Sequence, residues 1–284
     1  MTDQASKEMT EVARKSDFCT VIHLPRQRAA YADALAIKEN LTNAAMMSGS
    51  DLDPLFEALR ENLNPGAARA FTPEMPPRLV VLHKRWKAGR TLGVYFFNGS
   101  KKLRSRVMEI AKIWEAHANI KFEEVTDNRS AQIRIGFYAY EGHWSYLGTD
   151  STAISSSNIT MNLDGLSINE TTSENEMIRV VLHEFGHALG FGHEHKHPNG
   201  GIPWDIPKVY EFYQLNQGWS KSEVDYQILD RYTHEQLAFS TSYDKKSCMQ
   251  YAVSNDLTIG NWEVGWNRNL SSGDKAGCAK AYPF

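Results

Sequence analysis

Apolar positions along the chain change their period several times. Residues 28–47, RAAYADALAIKENLTNAAMM, are rich in helix formers, so the N-terminal part is expected to be partly helical. Residues 64–78, NPGAARAFTPEMPPR, concentrate Pro and Gly and read as a linker. Past it the pattern becomes strand-like: RLVVLHKRW at 78–86 and TLGVYFF at 91–97 carry β-branched and aromatic residues. A helical stripe follows in KKLRSRVMEIAKIWEAHAN, with Leu103, Val107, Ile110, Ala111 and Trp114 on one face. IKFEEV at 120–125, the alternating Ile133, Ile135 and Phe137, and SSNITMNL at 156–163 read as three further strands. Strands on either side of a helix, then a second long helix, imply a twisted mixed sheet with helices packed on it, an α+β fold. The expected division is an N-terminal, partly helical extension over 1–70, a possible propeptide or regulatory segment, and a catalytic domain over 77–284.

The second long helix carries the chemistry. TSENEMIRVVLHEFGHALG, 172–190, opens on Ser173 and Glu176 in capping-box spacing, and Gly190 stands where a left-handed residue ends a helix. His183 and His187 lie four apart, so both imidazoles leave one face, one turn from each other. Two such nitrogens suit a divalent metal, zinc above all. Glu184 stands beside the first ligand, in reach of a water on the metal without ligating it. A turn at Gly190 brings round His193 as third ligand, and three protein ligands leave the open position of a catalytic site. H-E-x-x-H alone arises by chance in roughly a few chains per hundred of this composition. With the later Gly and His the odds fall to on the order of one in twenty thousand. A site made of His183, His187 and a downstream carboxylate such as Glu211 would leave Gly190 and His193 unexplained. His195 and His197 miss the spacing and lie in a polar, Pro-ended loop, so they are expected in solvent.

Composition narrows the setting. With 31 Lys+Arg against 34 Asp+Glu the net charge is −3, which gives no reason to expect nucleic acid or an anionic membrane as partner. No apolar run is long enough to span a bilayer. The polar opening lacks a classical signal peptide, so synthesis in the cytoplasm is expected, with export, if any, by a leaderless or specialised route. Cys19, Cys248 and Cys278 are too few for a disulfide framework.

His183, Glu184, His187, Gly190 and His193 together resemble the extended signature of metzincin zinc peptidases. SCMQY at 247–251 supplies the methionine turn of that family through Met249, and Tyr251 stands two positions beyond, as in the astacin-like and serralysin-like branches. HWSYLGT at 143–149, GFGHE at 190–194 and the ending LSSGDKAGCAKAYPF are similar to astacin segments. The resemblance covers residues 77–284. It implies a metzincin-type α+β fold: a mixed sheet and the active-site helix in an N-terminal subdomain, and a mostly irregular or helical C-terminal subdomain with the Met-turn.

The implied activity is zinc-dependent endopeptidase, with one catalytic Zn2+ and a peptide or protein substrate bound in extended conformation. Glu184 would be general base, Tyr251 hydrogen-bond donor to the oxyanion, and Met249 a hydrophobic floor. The family's substrate-pairing edge strand is expected at SSNITMNL. An inactive scaffold used for binding and a zinc hydrolase of a non-peptide amide are the alternatives.

The chain departs from the family in three places: the paired disulfides of secreted astacins, the Arg-x-Asp-Arg run after the third His, here KHPNGG, and the Phe-x-Gly-Asp segment that blocks astacin zymogens. The first expectation for Cys19 is a core position in the helical extension. The second is a latency ligand, its thiolate filling the open zinc position. Trp204, Tyr210, Tyr213 and Trp219 are expected mainly as core, with lining of the substrate pocket as the second reading. Lys245 and Lys246 are expected in solvent.

Overall fold

The computed structural model describes residues 19–22, 24–46, 79–168, 172–239 and 241–284. The linker expected at 64–78 lies outside them. Six strands form one mixed sheet: β1 (Cys19–Val21), β2 (Arg90–Phe96), β3 (Ile120–Glu124), β4 (Ile133–Gly136), β5 (His143–Ser145) and β6 (Met161–Asn162), in the order β1-β5-β6-β4-β2-β3. All neighbours run parallel except β5 and β6, which are antiparallel.

The α-helices are α1 (Arg26–Glu39), α2 (Lys101–Ala111), α3 (Glu174–Ala188), α4 (Ile206–Gln217), α5 (Lys221–Val224) and α6 (Ser272–Ala281). The stripe read on α2 is its buried face: Leu103, Val107, Ile110 and Ala111 are all buried, and Trp114 follows in a 3-10 turn. Ser100 caps the helix by accepting from Leu103 N. The α2 face and α3 share one core with Leu92 and Val94 of β2, Ile133 and Ile135 of β4, and Phe122 of β3, whose ring meets Phe185 edge-on at 5.1 Å. The helix expected at 28–47 is α1 followed by a 3-10 turn over Leu41–Met46.

Two strand expectations need correction. Within RLVVLHKRW, residues 79–83, 85 and 86 are buried, but among the described residues the segment pairs only through the isolated bridges Val81↔Phe191 and Leu82↔Leu237. It threads between the active-site turn and the C-terminal half rather than joining the sheet. SSNITMNL yields only the two-residue β6, which sits between β4 and β5 and is not an edge. The outer strand of the catalytic part is β5, in the segment HWSYLGT, and β1 lies beside it in parallel, Cys19 opposite His143 and Thr20 opposite Trp144. An alternating apolar pattern marks a strand's faces, whereas its place in the sheet depends on distant partners.

Candidate metal centre and active site

Helix α3 is built to carry its ligands. Ser173 Oγ accepts from Glu176 N at 3.2 Å, the forward half of the expected capping box. The Glu176 carboxylate does not return to the cap; both of its oxygens take the guanidinium of Arg179. The helix ends at Ala188, and Gly190 adopts φ +87°. A Cβ there would stand 3.0 Å from the Lys84 carbonyl oxygen, so both the left-handed backbone and the close approach call for glycine. Phe191 N then donates to Gly186 O at 3.0 Å, and the chain turns back with His193 facing the helix.

The three imidazoles converge: ring centroids lie 4.7 Å apart for His183–His187, 4.6 Å for His187–His193 and 5.2 Å for His183–His193. His183 Nδ1 meets Cys248 O at 2.8 Å and His187 Nδ1 meets Phe191 O at 2.8 Å, so each Nδ1 carries its proton to a carbonyl. That tautomer turns each bare Nε2 inward, the usual outer-shell device for orienting metal-bound histidine. His187 Nε2 and His193 Nε2 stand 3.0 Å apart, and His183 Nε2 is buried with no protein partner among the described residues. Three Nε2 atoms converging in this way suit a cation between them. Burial drives the histidines toward the neutral form metals require: His187 falls to about 4, and His183 and His193 go well below their ordinary value. The donor set therefore fits zinc.

A fourth candidate ligand atom comes from outside the motif. Cys19 offers its Sγ to the same centre, and the ligand atoms of Cys19, His183, His187 and His193 all lie within 4.8 Å of one another. Cys19 is buried, as the first expectation had it, yet at the metal centre rather than in a helical core. Its thiol donates to Glu184 Oε2 at 3.4 Å, and Tyr251 Oη donates to the Cys19 carbonyl. Burial pushes the Glu184 carboxyl up to about 8.

Below the ligands lies the methionine turn. Met249 is fully buried against Gly186, where a Cβ would meet its sulfur at 2.4 Å, so it forms the floor and not a ligand. Asp274 on α6 braces this turn: it accepts from Ser247 Oγ at 2.6 Å, Cys248 N at 2.8 Å and Ser271 N at 2.9 Å. Since Cys248 O holds His183, Asp274 orients a ligand at one remove. Glu194, next to the third histidine, accepts from Asp244 N at 2.8 Å and Val80 N at 3.2 Å and ties the ligand loop to both flanking segments. Sequence reasoning passed over both residues, although the Ser271-x-x-Asp274 capping-box spacing was open to view.

Other expected positions fall as follows. His195 and His197 are not in solvent. His195 is buried with Nε2 on Gln227 O at 3.0 Å and its ring 4.4 Å from that of Tyr251, and His197 is buried with Nε2 on Thr241 Oγ1 at 2.7 Å. Neither belongs to the ligand group. Tyr213 is buried in a second core cluster that includes Cys19 and Tyr251, and Trp204, Tyr210 and Trp219, partly buried, pack against it. Lys245 and Lys246 are exposed, with Lys245 Nζ over Trp262 at 3.9 Å. Glu211 is exposed on α4 and is not among the grouped ligands.

Comparison with known proteins agrees with this geometry. The matrixin family model, a peptidase family, matches residues 97–200. Bone morphogenetic protein 1 of Xenopus laevis is 28% identical over 202 residues, covering 66% of this chain and 25% of that protein. Zinc metalloproteinase nas-27 of Caenorhabditis elegans is 30% identical over 115 residues, covering 40% of this chain and 23% of that protein. The chain thus spans about a quarter of the length of these relatives. The solved structure of myroilysin superposes with a TM-score of 0.68 at 40% identity, covering 72% of this chain and 98% of that one. With three histidines gathered on the extended motif and this likeness over nearly a whole solved chain, the protein belongs to the metzincin zinc peptidases, with its relatives in the astacin branch, and is a zinc-dependent metalloendopeptidase.

Proposed function

We propose that the chain is a latent zinc endopeptidase, in which residues 1 to about 70 are an inhibitory segment and Cys19 takes the zinc position that substrate water would use. The observation that carries this reading is Cys19 Sγ gathered with the three histidines, on a strand laid along β5. What the segment offers the centre is a thiol and not a peptide carbonyl, so it occupies the cleft without presenting a scissile bond. Zinc, when bound, supplies Lewis acidity and lowers the pKa of water to about 7. His183, His187 and His193 would hold it.

The remaining work falls to the protein's own groups. For Cys19 to ligate as thiolate its proton must leave, and Glu184 Oε2 at 3.4 Å is the acceptor within reach. Burial raises the Glu184 carboxyl, which favours its holding that proton while the segment is docked; departure of the segment opens the site to water and lets the proton go. Once the segment departs, Glu184 is left facing the open position as general base, taking a proton from the attacking water and returning it to the leaving amine. Tyr251, whose hydroxyl now donates to the Cys19 carbonyl, is freed to donate to the developing oxyanion. Edge strand β5, freed of β1, would pair with the main chain of an extended substrate, a mode that grips backbone regardless of side chain.

Cutting the full chain within residues 47–78 by limited proteolysis tests the reading. Peptidase activity should rise on cleavage and vanish with a chelator, and the cut Glu184→Gln protein should keep one zinc per chain while losing at least a hundredfold in kcat. Equal activity before and after cleavage would refute latency, and loss of zinc from Glu184→Gln would refute the base assignment.

A further inference from the structure

Three rings meet beside the metal centre: His193, His195 and Tyr251. Their centroids lie 4.5 Å apart for His193–Tyr251, 4.4 Å for His195–Tyr251 and 5.1 Å for His193–His195. His193 offers a metal ligand, and Tyr251 carries the hydroxyl assigned to the oxyanion. His195 does neither, yet it is only 3% exposed. Its ring plane is inclined by 30° to that of Tyr251 and by 29° to that of His193, so it lies nearly flat against both.

The ring is also tied at its far edge. His195 Nε2 meets Gln227 O at 3.0 Å, and a carbonyl only accepts, so Nε2 carries the proton. Gln227 belongs to a π turn, Asp225–Leu229, closed by Asp230 N on Asp225 O at 2.7 Å. Such wide turns break the regular bonding of a helix and recur at functional sites. Nδ1 is then bare, and it is buried with no hydrogen bond to the described residues. A phenylalanine would fill the same space without that unsatisfied nitrogen. What histidine adds is the Nε2–H bond, which stops the ring from turning about its own axis. At the backbone, Glu194 N donates to Met249 O at 2.9 Å, so the turn that carries His195 is fastened to the turn that leads to Tyr251.

Departure of the inhibitory segment is when this support counts. In the docked form the Tyr251 hydroxyl donates to the Cys19 carbonyl, a contact that leaves with the segment. The ring contacts with His193 and His195 lie within the catalytic part and stay. A donor helps a developing charge only if it is in place beforehand, and a displacement of 1 Å can cost about a hundredfold in rate.

We infer that His195 is a positioning residue: laid against Tyr251 and tied to Gln227 O, it holds the phenol where the oxyanion develops. The inference rests on the Tyr251 assignment above and on no change in the protonation of His195.

The test uses the zinc-loaded chain, cut or uncut according to which form is the more active, with His195→Ala, His195→Phe and His195→Asn made singly and together with Tyr251→Phe. His195→Ala should lower kcat about tenfold and leave KM within about twofold, since the contact it supports is made in the transition state. It should weaken a phosphinic peptide, which sets a tetrahedral oxyanion at the metal, by about the same factor in calorimetry, a readout independent of turnover. His195→Phe keeps the ring and should recover most of the loss. His195→Asn keeps a donor without the ring and should not. In the Tyr251→Phe background His195→Ala should cost nothing further, because the group it acts through is gone. A merely structural His195 would lower the melting temperature and leave the two substitutions additive. Parent kcat and parent phosphinate affinity in His195→Ala, or an equal loss in both backgrounds, would overturn the inference. If His195→Ala does not fold, equal kcat in His195→Phe and His195→Asn would overturn it. An undiminished kcat in Tyr251→Phe alone refutes the hydroxyl's role, a result read without touching His195, and the inference falls with it.

Discussion

Latency, on this reading, is an equilibrium between a docked and a released segment, and Asn43 is the place to shift it without touching the active site. The segment is fastened at two ends. Near the metal are the Cys19 thiol, its carbonyl on Tyr251 and the three-residue ladder with β5. At the far end Asn43, 2% exposed, donates from Nδ2 to Arg85 O at 2.8 Å and Ala36 O at 2.9 Å and accepts from Arg85 N at 3.2 Å. Lys84 adds an ion pair to Asp33 of α1 while holding Asp150 at 2.7 Å. Asn43→Ala removes two hydrogen bonds across this interface and leaves the Arg85 amide and carbonyl unpaired, a loss of about 2–3 kcal/mol. That is roughly a 30- to 150-fold shift toward the released form. While the docked form dominates, peptidase activity of the uncut chain should rise by the same factor, with the activity of the cut enzyme as its ceiling. Cys19→Ala acts at the opposite end of the same equilibrium, so the two effects should multiply up to that ceiling. The assay is initial-rate hydrolysis of a quenched peptide by the uncut chain, with zinc content and melting temperature from the same preparation. An Asn43→Ala chain with lowered melting temperature and unchanged activity would refute the two-ended clamp.

Two other substitutions separate catalysis from architecture. Tyr251→Phe should act in opposite directions on two forms: the uncut chain loses the bond to the Cys19 carbonyl and docks less tightly, whereas the cut enzyme loses about 10²–10³ in kcat with KM nearly unchanged. A cut Tyr251→Phe enzyme with undiminished kcat would remove the hydroxyl from the chemistry. Asp274→Asn sets an amide NH2 or its single oxygen against three donors, Ser247 Oγ, Cys248 N and Ser271 N, and should cost about 2–4 kcal/mol. Because Cys248 O orients His183, zinc affinity should also fall by roughly tenfold or more in competition with a fluorescent chelator, and unchanged affinity would confine Asp274 to a structural role.

The parts of this site that sequence made legible are those fixed by short-range geometry. Four residues separate His183 from His187, and one left-handed glycine returns His193 to them; helix pitch and backbone sterics decide both. Cys19 was open to view as a latency ligand, but its pairing with β5 was not legible, because it joins segments more than a hundred residues apart and neither three-residue strand carries a period long enough to see. His195 and His197 misled for a related reason. Their loop is polar and Pro-ended, but Gln227, Thr241 and the Tyr251 ring close over it from distant positions.

Arg179 belongs to a third kind. It was visible all along as a charge on the face of α3 that packing reserves for apolar side chains, with Glu176 placed three residues before it. Read for helix termini, Glu176 looked like a cap. Read against the helix face, the buried Arg179 side chain sits one turn from His183 and is paired with Glu176, which reaches solvent. Departures from local pattern concentrate where function demands them. The informative residue in such a helix is therefore the one the amphipathic pattern leaves unexplained, and here it is held by Glu176 and the Trp266 ring.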